Sequence, residues 1–162
     1  MTKLLLYMLL FAPVALLTTS CSNSGSTAKE TSFDTTGLRK TIDEKNKEFS
    51  KSLTSGDSAG VISHYTTDGK IFAPNADAVV GHAAMGPLVS EYLKAGIKEF
   101  TDQTTALYGT EAALIEEGTY FMGDGKGGTI DKGKYVTIWK KEAGDWKIYT
   151  DIFNTSLPEP KK

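Results

Sequence analysis

This sequence contains only one cysteine, Cys21, among its 162 residues. A single thiol cannot pair within the chain, so no internal disulfide holds the fold together. The sequence also lacks a basic surplus, because 18 lysine and arginine residues stand against 20 aspartate and glutamate residues. Without a basic surplus or patch there is no electrostatic basis for binding nucleic acid, and we expect no nucleic-acid partner.

Motifs of several common enzyme classes are also missing. There is no Gly-x-Ser-x-Gly nucleophile motif, and the glycine-rich segment 123–128 lies between two predicted strands, whereas a phosphate-binding loop joins a strand to a helix. The two histidines, His64 and His82, have no third residue at metal-ligand spacing. Asp68 or Asp77 can join one of them, but isolated histidines are more often satisfied core or surface residues. We therefore expect no metal and no cofactor.

The N-terminal segment is typical of an export signal. Lys3 precedes an uncharged run over residues 4–17, which is shorter than the ~20 apolar residues that a membrane span needs. Small residues then lead to Cys21, whose position resembles that of the lipidated cysteine of bacterial lipoproteins, with Thr18 where leucine is usual. The resemblance implies removal of residues 1–20 and a lipid anchor on Cys21, in the cell envelope and by default on the periplasmic side of the outer membrane. The alternative is an ordinary signal peptide that leaves Cys21 as a free thiol.

The rest of the chain is long enough for one domain and too short for two. Residues 21–35 are rich in serine, threonine and glycine, a composition typical of a flexible tether. We expect the folded domain over residues 36–155 and a disordered tail over residues 156–162.

The first half of this domain has helical spacing of its apolar residues. A first helix is predicted over residues 36–53 and a short second helix around Val61. A turn at residues 66–69, a short strand at residues 70–73 and a partner strand within residues 76–81 follow. The third helix is expected to begin no earlier than about Gly86, or to be irregular in its first turn, because Pro87 follows.

From Ile97 onward the spacing alternates, which is typical of strands. The predicted strands cover residues 98–106, 112–122, 129–141 and 145–154. Helices followed by strands indicate an α+β fold, in which a curved antiparallel sheet wraps around about three N-terminal helices.

Several short segments resemble the nuclear transport factor 2-like superfamily, which includes SnoaL-like and ketosteroid-isomerase-like proteins. They fall within residues 36–154 and comprise Gly56-Asp57, His64-Tyr-Thr-Thr-Asp68, Pro74-Asn75, Val80-Gly81, Glu116-x-Gly118-x-Tyr120, Gly133-Lys-Tyr135, Trp139-Lys140 and Trp146-Lys-Ile-x-x-Asp151-Ile-Phe-Asn154. The last segment is similar to a subgroup of unknown function. The resemblance implies a cone-shaped, cystatin-like roll with a pocket for a small organic molecule, and often a homodimer through the outer face of the sheet.

The same resemblance does not imply ketosteroid isomerase chemistry. That reaction needs a carboxylate base, a tyrosine and a protonated aspartic acid. Ala73 stands at the position of the base, Phe49 at that of the tyrosine, and Thr137 or Ile138 at that of the aspartic acid.

Strand alternation predicts which side chains share a face. The predicted faces hold Glu116, Gly118 and Tyr120 on one strand, Tyr135, Thr137 and Trp139 on the next, and Tyr149, Asp151 and Phe153 on the last. If these faces point inward, Glu116, Tyr120, Trp139 and Asp151 converge in the pocket. Tyr65 and Asn75 are further candidates for its mouth, although both residue types are more often found in turns or the core.

Two functions are compatible with these residues. The first is an exported, lipid-anchored protein that binds a small apolar or mixed-polarity ligand without catalysis. The alternative is a cofactor-independent isomerase, lyase or hydrolase of the SnoaL-like kind that uses Glu116 or Asp151 as acid and base. A structural interpretation also stands, in which Asp151 bonds backbone amides or Lys134 and the aromatic residues form core.

Overall fold

The computed structural model describes residues 35–158. The predicted signal peptide, the lipidation of Cys21, residues 21–34 of the tether and the last four residues of the tail lie outside this range. The described elements are α1 (Thr35–Ser55), α2 (Ser58–Ser63), β1 (Tyr65–Phe72), β2 (Val79–Val80), α3 (His82–Lys94), β3 (Glu99–Gly109), β4 (Leu114–Gly123), β5 (Thr129–Glu142) and β6 (Asp145–Thr155). All of the described helices are too short or too polar for a membrane span.

The strands form one sheet in the order β2-β1-β6-β5-β4-β3. The prediction of an α+β fold with helices on a curved sheet is confirmed. One pair departs from the antiparallel arrangement, because β1 and β6 run parallel. The hairpin turns between β3, β4, β5 and β6 enforce antiparallel pairing, whereas β1 and β6 are far apart in the chain and either direction is open to them.

The four long strands begin and end within a few residues of the predicted bounds. The first strand differs more, since β1 begins at Tyr65 and the segment expected to turn at residues 66–69 lies within it. The register between β1 and β6 shifts between Tyr65 and Lys70. A local irregularity inside the strand therefore takes the place of the predicted turn.

The third helix also differs, because α3 begins at His82 and contains Pro87 in its interior. The prediction that it begins no earlier than about Gly86 is wrong. A proline disfavours helical geometry in the preceding residue through clashes with the backbone N–H and the Cβ atom of that residue, and Gly86 lacks the second of these clashes. Ala83, whose carbonyl loses its helical hydrogen bond to the proline, is exposed, so water can satisfy that oxygen.

The core lies between the helices and the inner face of the sheet. Its most deeply buried apolar side chains come from α1, α3, β4 and β5, and they are Ile42, Met85, Leu114 and Trp139, all at most 1% exposed. The register also shifts within the β3–β4 and β5–β6 pairs. Such bulges bend strands, which fits a sheet that curves around the helices.

Candidate functional site

An apolar cavity of about 100 Å³ lies between the helices and the inner face of the sheet. All three helices and strands β1, β3, β4, β5 and β6 contribute side chains to it. Most of the lining is aliphatic or aromatic, and the aromatic members are Phe49, Tyr92, Phe100, Tyr120, Tyr135 and Phe153. A cavity with this lining is suited to the hydrocarbon part of a small molecule.

Edge-to-face contacts hold several of these rings in place. The ring centroid of Phe153 lies 5.9 Å from that of Tyr92 and 5.9 Å from that of Tyr120. The rings of Phe49 and Phe100 are 5.8 Å apart. Because such pairs favour one relative orientation, the aromatic part of the wall is preformed.

Asp151 brings a carboxyl group from β6 into the cavity lining. Its Oδ2 accepts a hydrogen bond from the Tyr65 hydroxyl at 3.1 Å, and the Thr137 hydroxyl lies 3.5 Å from its Oδ1. Burial raises the pKa of Asp151 to about 6, and the charge of Glu116 acts in the same direction. The two hydroxyl donors act in the opposite direction without cancelling the effect of burial.

Asp102 is the second carboxyl group in the lining, and it comes from β3. Burial raises the pKa of Asp102 to about 6, with a further rise from the charge of Glu116. No side chain among residues 35–158 donates a hydrogen bond to its carboxylate. Sequence reasoning missed Asp102, although Phe100, Asp102 and Thr104 alternate along one predicted strand and share its inner face.

Asp102 also borders a polar surface groove between α1 and β3, together with Arg39 and Lys47. Arg39 does not pair with it. The guanidinium instead donates to Asp43 at 2.9 Å and to the Thr104 backbone oxygen at 3.0 Å. Asp102 is therefore placed where the cavity and this groove meet.

Glu116 is fully buried and accepts four hydrogen bonds from side chains. Asn46, Thr104 and Tyr135 donate to its Oε1 at 2.7, 2.6 and 2.8 Å, and the Trp139 indole donates to its Oε2 at 2.8 Å. It is absent from the described cavity lining, and its link to the cavity is Tyr135. Its partners occupy both carboxylate oxygens, so Glu116 fixes Tyr135 and Trp139 in place.

The structure brings together only some of the predicted site residues. Tyr120 and Asp151 line the cavity. Tyr65 is 2% exposed and reaches the site through its bond to Asp151, while Glu116 and Trp139 bond each other behind the lining. Whether any of these side chains binds a ligand or reacts stays a prediction.

Asn75 is placed differently. It is exposed in the turn after β1, where its φ of 56° is the left-handed conformation that asparagine tolerates. Tyr149 also departs from its predicted face, because the β5–β6 register shifts so that Trp139 pairs with Ile148. The bulge turns Tyr149 away from the cavity, and the centroid of its ring lies 3.3 Å from Lys140 Nζ.

The histidines are engaged elsewhere. His82 Nε2 lies 3.0 Å from the Tyr65 backbone oxygen, and the His64 ring packs edge-on against Phe49 at 5.7 Å. Within residues 35–158, no group of three or more His, Cys, Asp and Glu side chains is arranged to hold a metal ion.

No protein-family model matches this sequence, and no curated protein is significantly similar to it. Solved structures do share the fold. A protein of unknown function with a cystatin-like fold from Nostoc punctiforme is 17% identical, with a TM-score of 0.63 over 76% of this chain and 96% of that chain. A nuclear transport factor 2-like protein of unknown function from Shewanella oneidensis is 14% identical, with a TM-score of 0.62 over 72% of this chain and 98% of that chain.

A ketosteroid isomerase-like protein from Erwinia carotovora atroseptica is 15% identical, with a TM-score of 0.61 over 72% of this chain and 95% of that chain. At such identities the likeness establishes the fold and leaves the activity open. The cavity, the order of helices and strands and these neighbours agree with the sequence resemblance, and this chain has the nuclear transport factor 2-like fold.

Proposed function

We propose that this domain binds a small, largely apolar molecule in the cavity between its helices and sheet. The observation that carries the proposal is the lining itself, with six aromatic side chains and two carboxyl groups around a preformed space. Few polar groups in a mostly apolar pocket give a ligand orientation without removing the hydrophobic driving force.

Binding without catalysis is supported by the positions that the family resemblance implies for isomerase chemistry. Phe49 lines the cavity where that resemblance puts a tyrosine, and its ring has no hydroxyl to stabilise an oxyanion. Thr137 donates toward Asp151, and Ala73 has no group that can accept a proton.

The test is native mass spectrometry of the protein purified without denaturation, followed by identification of any released molecule. Leu88→Phe adds volume inside the cavity lining, and Leu107→Phe adds the same volume at a half-buried position outside it. We expect a bound organic molecule in the wild type and in Leu107→Phe, and a reduced amount in Leu88→Phe. Equal amounts in the two variants, or none in the wild type across native preparations, would contradict binding in this cavity.

A second candidate is a cofactor-independent isomerase, lyase or hydrolase that uses Asp151. It is favoured by one observation, since a carboxyl group with a pKa of about 6 can both donate and accept a proton near neutral pH. Glu116 is the weaker candidate, because its four donors and its position behind the lining keep it from a ligand. Loss of turnover in Asp151→Asn with ligand binding intact would support the enzyme, and unchanged turnover in both Asp151→Asn and Glu116→Gln would exclude this version of it.

We also propose that the protein is exported and anchored by lipid on Cys21, at the periplasmic side of the outer membrane. The support is the sequence alone, namely the basic residue, the short apolar run and the small residues before the cysteine. Labelled fatty acid should appear on the wild type in the outer-membrane fraction and not on Cys21→Ala. Equal label on both proteins would contradict the anchor.

A homodimer through the outer face of the sheet is the remaining proposal. It is supported by Val136 and Ile152, which pair across β5 and β6 and are 37% and 49% exposed. Sedimentation should give a dimer for the wild type and a monomer for Ile152→Lys, because a buried unpaired charge opposes association. A monomeric wild type would contradict this arrangement.

A further inference from the structure

We propose that the ligand of this cavity is an organic cation, an apolar amine or ammonium compound. Its nitrogen would contact the Asp102 carboxylate, the Asp151 carboxylate would add negative charge to the same lining, and its hydrocarbon part would pack against the aromatic side chains. This inference rests on the proposed binding function and names the chemical class of the ligand.

The charge of the lining is of one sign. Asp102 and Asp151 are its acidic members, and none of the described residues that line the cavity is a lysine, arginine or histidine. Neither carboxylate belongs to an ion pair within residues 35–158. The ion pairs found there join Arg39 to Asp43 and Lys45 to Asp145. The described lining of the cavity therefore carries two acidic groups and no basic side chain.

Glu116 adds negative charge behind the lining, and this charge raises the pKa of both Asp102 and Asp151. The apolar surroundings solvate the anions of the two lining carboxyl groups poorly, and this burial raises the pKa of each to about 6. At neutral pH both are still mostly ionised, since the pH lies above the pKa. A bound cation would supply the solvation that these anions lack.

Asp102 is the more open of the two groups. The Asp151 carboxylate has the Tyr65 and Thr137 hydroxyls as partners, whereas no side chain among the described residues donates to Asp102. The nearest guanidinium, in the bordering groove, is held by Asp43 and a backbone oxygen. A ligand nitrogen can therefore contact Asp102 without displacing a protein partner.

The aromatic rings favour the same class of ligand. The face of an aromatic ring attracts a cation within about 6 Å of its centroid, and the attraction is larger where water is excluded. The tyrosines add no competing charge, because burial raises the pKa of Tyr92, Tyr120 and Tyr135 and keeps their hydroxyls neutral. An anionic ligand would be repelled by the two carboxylates, and a neutral one would leave their charge unpaired.

The experiment compares three probes of matched shape: benzylammonium, benzyl alcohol and benzoate. Each is titrated into the purified protein at about pH 7.5, above the pKa of both carboxyl groups, and binding is followed by NMR chemical shifts. We expect benzylammonium to bind at least about tenfold more tightly than benzyl alcohol, and benzoate to bind most weakly.

Three variants test whether the lining carboxylates are the groups that attract the benzylammonium cation. Asp102→Asn and Asp151→Asn should each weaken benzylammonium binding by roughly fivefold or more and leave benzyl alcohol within about twofold of the wild type. Asp77→Asn, an exposed position outside the cavity, is the matched control and should change neither. The comparison of probes on the wild type keeps the test decisive if one variant does not fold.

The outcomes separate this inference from the proposed function. Equal affinity for benzylammonium and benzyl alcohol, or equal effects of the Asn variants on both, would overturn the cationic ligand and leave apolar binding in place. Binding of none of the probes up to about 10 mM would contradict the binding function as well.

Discussion

Replacing Asp151 with asparagine should stabilise the domain at neutral pH and leave its stability nearly unchanged near pH 4. Burial raises the pKa of Asp151 from 3.8 to about 6, so the folded protein holds this proton more firmly than the unfolded chain does. Asparagine keeps the shape of the side chain, and its amide oxygen can still accept the Tyr65 hydroxyl. It removes only the charge that burial opposes.

The sign and size follow from linkage between protonation and folding. A carboxyl group whose pKa is raised on folding adds stability below its unfolded pKa, and that stability is lost as the pH rises through the folded pKa. Here the window lies between the ordinary aspartate pKa of 3.8 and the folded pKa of about 6. At about 1.4 kcal/mol for each pH unit, the wild type should lose about 3 kcal/mol across it through Asp151 alone.

The assay is urea unfolding at a series of pH values from about 4 to about 8, followed by tryptophan fluorescence. Trp139 and Trp146 are 1% and 5% exposed, so unfolding changes their surroundings strongly. Asp102 adds a pH dependence of the same sign, and His64, whose pKa burial lowers, adds one of the opposite sign. Both are present in the wild type and the variant, so the difference between the two proteins at each pH isolates Asp151.

The expected difference in free energy of unfolding is close to zero near pH 4 and reaches about 3 kcal/mol in favour of Asp151→Asn above pH 7. A difference that stays constant with pH would refute the raised pKa. A variant less stable than the wild type at neutral pH would show that the Asp151 carboxylate is needed for packing in a way that these hydrogen bonds do not account for.

Three further predictions use the same urea assay. Glu116→Gln should lower the free energy of unfolding by about 2 kcal/mol, because the amide NH2 of the new side chain would face the Trp139 indole N–H, which is also a donor. Glu117→Gln, on the opposite face of the strand, should change it by less than about 0.5 kcal/mol. Equal losses in the two variants would contradict this prediction. Gly118→Ala should destabilise the domain and weaken the binding of benzylammonium, because the added Cβ atom would lie 2.5 Å from the Tyr135 ring. Unchanged binding of this probe would contradict the prediction. Asp124→Asn should destabilise the domain near neutral pH, because backbone N–H donors lower the pKa of Asp124, and the loss should shrink as the pH falls through that lowered pKa. A loss that does not change with pH would contradict this.

Hydrophobic spacing was sufficient to predict most of the fold. The first helix and the four long strands have strong periodic patterns and lie close to their predicted positions. The direction of β1 beside β6 could not be predicted, because it depends on contacts between segments far apart in the sequence. The predicted start of α3 near Gly86 is too late, because a proline marks a helix boundary less strongly where the preceding residue has no Cβ atom, as at Gly86.

The candidate site was harder to predict because side-chain direction depends on bulges. One inserted residue in β6 moved Tyr149 off the face of Asp151, and no local sequence signal marked that position. The alternation around Asp102 was as clear as that around Asp151, but a lone acidic residue in a polar strand gives no sign of burial. Its partial burial depends on tertiary packing, including that of α1 against β3.

The three acidic groups in and behind the cavity lining differ in how many side-chain donors surround each carboxylate. Glu116 has four and is closed to any further partner, Asp151 has two hydroxyls, and Asp102 has no side-chain donor among the described residues. A carboxylate saturated by its own protein stabilises structure, whereas one left short of donors in an apolar cavity is destabilised until something else binds it. The number of side-chain donors falls from Glu116 to Asp151 to Asp102, so Asp102 is the group whose removal should weaken the binding of benzylammonium most.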